Sequence, residues 1–198
     1  YPFTDSQILG ISTFPYSLKD FFLEGTQQVS ASWITLENLS FPYCISINSS
    51  YIYEQSTDER INQNDAAITL AHELGHYLGL RHVFSEGGTT SMCTDTDYCK
   101  DTPSYNRSEY EQWLNNLDKQ NKYQLKDLAK RYSCEKGEYE AHNIMDYAYC
   151  FYNEITLEQR KRIRHILNYS PLIPGPKESR IDTRGVQGRL NLPICIMK

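Results

Sequence analysis

His72-Glu73-Leu74-Gly75-His76-Tyr77-Leu78-Gly79-Leu80-Arg81-His82 reads HExxHxxGxxH. The pattern offers three imidazoles to one zinc ion, and one carboxylate to a water that the ion activates. Three of the five histidines in the chain stand here. At about 100° of rotation per residue, His72 and His76 share one face of a helix. Ala67, Leu70, Ala71, Leu74 and Leu78 form a narrow apolar stripe on the opposite face. The stripe is expected to pack on the core and the histidine face to carry chemistry. Glu73 lies beside the histidines, rotated too far to be a third ligand but within reach of the water. Asn64 or Asp65 is the expected N-cap. Gly79 takes positive φ cheaply, so the helix is expected to break there and return His82 to the metal from a loop. An ordinary amphipathic helix with surface histidines would explain neither this glycine nor the third histidine at their fixed offsets.

Downstream, Asn143-Ile144-Met145-Asp146-Tyr147 has the form of the Met-turn that follows the long zinc motif in metzincins. Met145 is expected to form an apolar floor below the imidazoles, its thioether adaptable and clear of the metal. Tyr147 is expected at the edge of the metal site, where its hydroxyl ligates weakly at rest and then hydrogen-bonds the forming oxyanion.

On these residues the chain resembles the pappalysin family of metzincin zinc metalloproteases, including several bacterial secreted or lipid-anchored members. Further matching features are Leu9-Gly10-Ile11-Ser12-Thr13-Phe14-Pro15, Val83-Phe84 directly after His82, and Asp101-Thr102-Pro103. Cys150 close behind the Met-turn and Ile155-Thr156-x-x-Gln159-x-x-Arg162 extend the likeness, which spans roughly residues 8 to 168. The resemblance implies an α+β, metzincin-like zincin fold. In it a small mixed sheet backs the zinc helix, and the Met-turn and a C-terminal helix lie in a lower subdomain. The catalytic domain would cover residues 1–169, with residues 1–82 as its upper subdomain and residues 83–169 as its lower one. Residues 170–198, with several prolines and glycines, read as an extended tail. The implied activity is that of a zinc-dependent endopeptidase cutting extended protein substrates, with His72, His76 and His82 on one catalytic zinc and Glu73 and Tyr147 as catalytic residues. Bridges Cys93–Cys134, Cys99–Cys150 and Cys44–Cys195 are also suggested by the resemblance. The chain departs from the family in two places. Only 71 residues precede His72, fewer than the opening strand, long helix and further strands need, so a fragment or processed form is expected. Tyr149 stands before Cys150, where some basic-specific relatives carry an acidic residue, so a preference for Arg or Lys is not carried over.

Composition is compatible with this reading and narrows the alternatives. The 198 residues are 39% hydrophobic, enough for one domain with a core. Net charge is −5 and no basic stripe accompanies the aromatics, which argues against nucleic acid as a partner. No apolar run approaches transmembrane length. Lys161, Arg162, Arg164 and His165 read as a solvated helix face. Six cysteines without a CxxC pair suit disulfides and a secreted, cell-surface or periplasmic location. A monomer is expected. Two rival functions keep the same motifs: a catalytically silent binding or adhesion module, and a zinc amidase acting on a non-protein peptide.

Residues 8–15, 28–36 and 43–47 are β-rich and are expected to form the sheet behind the zinc helix. Residues 51–63 read as a polar loop. Ser85 to Pro103 is a Gly/Ser/Thr/Asp loop whose carboxylates, Asp95, Asp97 and Asp101, offer oxygen ligands to a structural calcium. Residues 107–132 carry a helical pattern and predict an inserted helical hairpin. Thr156-x-x-Gln159 predicts a capping box that opens a last helix running to about Leu167. Asn38, Asn48, Asn106 and Asn168 head N-x-Ser sequons.

Overall fold

The structure is a computed structural model and describes residues 3, 5, 7–35, 37–38, 43–53, 65–85, 94–119, 121–133, 135–147 and 149–173. Cys93, Cys134 and Cys195, most of the 51–63 loop, Asn64, and the tail beyond residue 173 lie outside the described residues. The architecture is α+β, built from short elements in the order β1 Gly10–Ser12, β2 Tyr16–Leu18, β3 Gln27–Val29, β4 Ile45–Ile47, α1 Ala66–Tyr77, α2 Arg107–Asn115, α3 Leu125–Leu128, β5 Lys130–Ser133, β6 Gly137–Glu140 and α4 Leu157–Tyr169. In place of one mixed sheet, the described strands form three two-stranded pairs. Antiparallel β1 and β4, in register Gly10↔Ile47 to Ser12↔Ile45, pack on α1. β2 pairs in parallel with β3 and lies against α4, and β5 and β6 form a hairpin.

Asp65 caps α1, its carboxylate accepting from Ala67 and Ile68 N–H at 2.8 and 3.2 Å. The helix faces the opposite way from its apolar pattern. Leu70 and Leu74 are 48% and 43% exposed, Ala67 is exposed, and Thr69, His72, Glu73 and Gly75 are buried. The reversal has a physical cause. Two histidines hydrogen-bond backbone carbonyls inside the molecule, and Gly75 gives way to Met145, so the polar face is satisfied where it is buried. The core lies beneath that face and consists of Leu80, Val83, Phe84, Tyr105, Tyr110 and Met145.

The expected helical hairpin over 107–132 is half right. α2 starts on its Asn106 cap, but the second helix is a single turn, and Lys130–Ser133 leave it to pair with Gly137–Glu140. Gly137 at φ +80° makes the connecting turn. The capping box of α4 forms, with Thr156 Oγ1 accepting from Gln159 N–H and Gln159 Oε1 from Thr156 N–H. On that helix Lys161 and Arg164 are exposed, but Arg162 is buried and His165 Nε2 meets the Phe21 carbonyl at 2.9 Å.

The expected Cys99–Cys150 bridge is not formed. Both thiols are free and buried, each directed at a backbone carbonyl: Cys99 at Asp97 O, 3.6 Å, and Cys150 at Asn143 O, 3.3 Å. Burial pushes both thiols up to about 12, with nearby carboxylates adding to the effect. Cys44 is free as well.

Gly79 stands at φ +87°, and a Cβ there would come 2.7 Å from Ile166 Cγ1. Gly79→Ala is therefore expected to cost about 1–3 kcal/mol. Gly137→Ala, at similar φ but with nothing within 4 Å, should cost less. Urea denaturation of the two variants checks this; equal losses would remove the Ile166 contact from the explanation.

Candidate metal centre and catalytic cleft

The Nε2 atoms of His72, His76 and His82 converge to 3.0–3.2 Å of one another. A carbonyl can only accept, so His72 Nδ1 donates to Ile144 O and His76 Nδ1 to Leu80 O, each at 2.8 Å. In the neutral imidazole this places the Nε2 lone pair of both rings toward the shared centre. Lone pairs facing at this distance repel, and a cation between them removes the conflict. Three nitrogens set tetrahedrally around zinc stand about 3.3–3.4 Å apart, so the donor set fits that ion. Among the described residues this is the single cluster of three or more His, Cys, Asp or Glu side chains placed to share an ion.

The local chain explains the convergence. α1 ends with Leu78 and Leu80 N–H both returning to the Gly75 carbonyl, and Gly79 turns the chain. Arg162 pins that turn: its Nη2 donates to Gly79 O at 3.2 Å and to Glu24 O at 2.9 Å, and its Nε to Gly79 O at 3.3 Å. His82 then stacks on Phe84, ring centroids 4.6 Å apart. Below, Met145 is 0% exposed, and a Cβ on Gly75 would collide with its Sδ. The turn holding Met145 is tied down by a reciprocal amide pair between Asn143 and Gln159 (2.8 and 3.0 Å) and by Asn143 Oδ1 accepting from Met145 N–H. The Tyr147 ring lies 4.4 Å from that of His82 and 5.3 Å from that of His72.

Glu73 is set from the other side. β1 passes so close that a Cβ on Gly10 would sit 2.7 Å from Glu73 Cγ. Burial raises the Glu73 carboxyl above its ordinary value; a hydrogen bond from Ser12 and the field of His82 oppose the rise. His72, Glu73 and Tyr147 line a cavity of about 790 Å³, bounded by Leu9 and Ile11 of the β1 region and by Tyr152. This is the size of a ligand cleft. All five site residues expected from the sequence thus meet at one place. Among the described residues β1 pairs with β4 alone, and its outer edge has no strand partner.

The three carboxylates offered to calcium by the sequence accept hydrogen bonds from the chain around them. Asp97 accepts from Cys99 N–H and Thr102 Oγ1, Asp101 from Thr156 Oγ1 and Glu158 N–H, and Asp95 from Asp97 and Tyr98 N–H. Burial, with Asp95 beside it, pushes Asp97 up to about 7.

Sequence reasoning quoted Gly10 and Ser12 within the family-like stretch Leu9–Pro15 but gave them no role, missed Arg131 and misread Arg162. The hairpin that buries Arg131 carries one usable signal, the Glu135-Lys136-Gly137 turn. Nothing local marks Gly10 or Ser12 as neighbours of Glu73, which stands far along the chain.

The family described as pregnancy-associated plasma protein-A, the M43 peptidases, matches residues 33–168. The chain belongs to this family. It is 37% identical over 108 residues to the extracellular metalloproteases of Arthroderma benhamiae and Trichophyton verrucosum, a stretch covering 53% of this chain and 32% of each relative. The extracellular metalloprotease of Arthroderma otae matches with the same identity, over 53% of this chain and 33% of its own length. The chain thus spans about a third of the length of the curated relatives it matches. No solved structure matches this pappalysin-family chain significantly.

Zinc binding to the metal-free protein should raise its thermal midpoint, by about 2.7 kcal/mol of stability at a hundredfold excess over Kd. His82→Ala should abolish most of that gain, and an unchanged midpoint in the unaltered chain would count against the site. Asp97, with its folded value above the unfolded one of 3.8, binds an extra proton in the folded state up to about pH 7. Stability should therefore fall as pH rises through that window, with Asp95 beside it sharing in the titration. Asp97→Asn should flatten the profile measured by thermal denaturation.

Proposed function

We propose that this chain carries a zinc-dependent endopeptidase activity directed at peptide bonds in extended protein substrates outside the cytoplasm. The observation that carries the proposal is the convergence of three imidazole Nε2 atoms, one of them on His72, which lines an open cleft together with the buried Glu73. His72, His76 and His82 would hold the ion. When bound, zinc supplies Lewis acidity toward a water and toward the scissile carbonyl.

The remaining steps belong to the chain. The outer edge of β1 receives the substrate as an added strand, fixing the scissile bond over the histidines. Glu73 takes a proton from the attacking water and returns it to the leaving amine. A carboxylate whose proton affinity is raised by burial suits both halves of that exchange. Tyr147 donates its hydroxyl proton in a hydrogen bond to the oxyanion. The Leu9, Ile11, Tyr147 and Tyr152 lining suits apolar side chains of the substrate. Relatives named extracellular metalloproteases support both the activity and the location. No helix among the described residues is long and apolar enough to cross a membrane. We take the working unit to be a monomer.

The test is cleavage of an unfolded protein mixture by wild type and Glu73→Ala, each with and without a zinc chelator. Only untreated wild type should cut. Glu73→Ala should keep its zinc and lose at least about 10³-fold in rate. Zinc lost from that variant would refute the division of roles, and an inactive zinc-loaded wild type would favour the silent module or the amidase.

A further inference from the structure

Arg131 is 0% exposed at its side chain, and the proposed chemistry makes no use of it. Its Nη1 donates to Leu128 O at 2.9 Å and Lys130 O at 3.2 Å; its Nη2 donates to Tyr147 O at 3.2 Å and Tyr149 O at 3.1 Å. Its Nε faces Asp146 Oδ2 at 3.5 Å and has no hydrogen-bond partner among the described residues. Asp146 Oδ1 accepts from Tyr105 Oη at 2.5 Å and from Tyr147 N–H at 2.7 Å. The guanidinium lies 3.7 Å from the centre of the Tyr110 ring and 5.2 Å from that of Tyr105, which fixes its plane. The backbone of Tyr147 is therefore gripped at both ends by one buried ion pair, its N–H by Asp146 and its C=O by Arg131.

We propose that Arg131 is a positioning residue: with Asp146 it clamps the Tyr147 backbone and so aims the phenol at the metal edge of the cleft. The inference rests on the catalytic role proposed for Tyr147. The ring of that residue packs against His72, His82 and Phe84 and under the half-exposed Arg107, which lies 4.6 Å over it. Those contacts bound the face of the ring, while the clamp sets the point and direction from which the side chain leaves the backbone. A misplacement of about 1 Å in such a group costs up to about 10²-fold in rate.

A buried ion pair also stabilises a fold, so the test must separate the two roles. Arg131→Lys keeps the charge and loses the fork that spans two carbonyls. It is made in the wild type and in Tyr147→Phe, with the zinc-loaded proteins compared for kcat, KM, zinc content and thermal midpoint. Tyr147→Phe should lower kcat by about 10–10²-fold. Arg131→Lys should lower kcat about tenfold with KM within about twofold and zinc retained. In the Tyr147→Phe background the same substitution should cost under about twofold, because the group it aims is gone. Equal losses in both backgrounds would overturn the inference while leaving the Tyr147 assignment standing. A Tyr147→Phe enzyme with unchanged kcat would overturn both, and activity lost only with Glu73→Ala would still support the peptidase. Should Arg131→Lys fail to fold, Tyr105→Phe, which removes only the hydroxyl on Asp146, enters the same cycle; a loss that disappears in Tyr147→Phe supports the clamp, and one that persists overturns it.

Discussion

The hydrogen bonds from His72 to the Ile144 carbonyl and from His76 to the Leu80 carbonyl are the constraint on which the rest of the molecule turns. Each joins the helix to a different irregular segment, one being the Met-turn and the other the return loop that carries His82. Each also decides which ring nitrogen keeps its lone pair. The same two bonds thus assemble the Met-turn and the return loop against α1 and prepare the ligand set. This is why α1 buries its polar face. Reversing the helix would bury Leu70 and Leu74 but would strand two carbonyls and break the donor set.

What is legible in the sequence is local. HExxHxxGxxH fixes a helix, a break and a returning third ligand through spacings of three to four residues, and Asp65 and Thr156 mark helix starts through their neighbours. The direction in which α1 faces is not legible, because a periodic pattern of leucines records apolarity and not what lies opposite. Arg162 reads as surface because charged runs on helices usually are; its burial depends on the carbonyls of Glu24 and Gly79, far upstream in the chain. The strand at 130–133 is hidden by a helical pattern, since an isolated segment cannot reveal that a hairpin partner will compete for it. The separate strand pairs are equally invisible, because pairing between distant three-residue strands leaves no periodic trace.

Three arginines share one task in this fold. Arg81 holds the Gly25 carbonyl, Arg162 holds those of Gly79 and Glu24, and Arg131 holds four. Short strands and loops leave many backbone acceptors without ladder partners, and buried acceptors must be paired. A guanidinium, with five donors in a rigid plane, gathers several carbonyls at once. The fold thereby uses cations to pair carbonyls that a larger sheet would pair, in a chain with only two-stranded pairs among its described residues.

The contact between Gly75 and Met145 has a consequence for ageing in oxidising surroundings. The helix backbone and the thioether are so close that not even a methyl group fits between them. Oxidation of the thioether adds an oxygen and turns an apolar side chain polar. No room exists for that oxygen while helix and turn are closed on each other, so the sulfur is shielded in the closed state. Once oxidised during a transient opening, it would wedge the histidine floor away from the turn beneath it. Oxidation at this one thioether would thus act on the zinc helix itself, whereas the thiols of Cys99 and Cys150 are buried away from it.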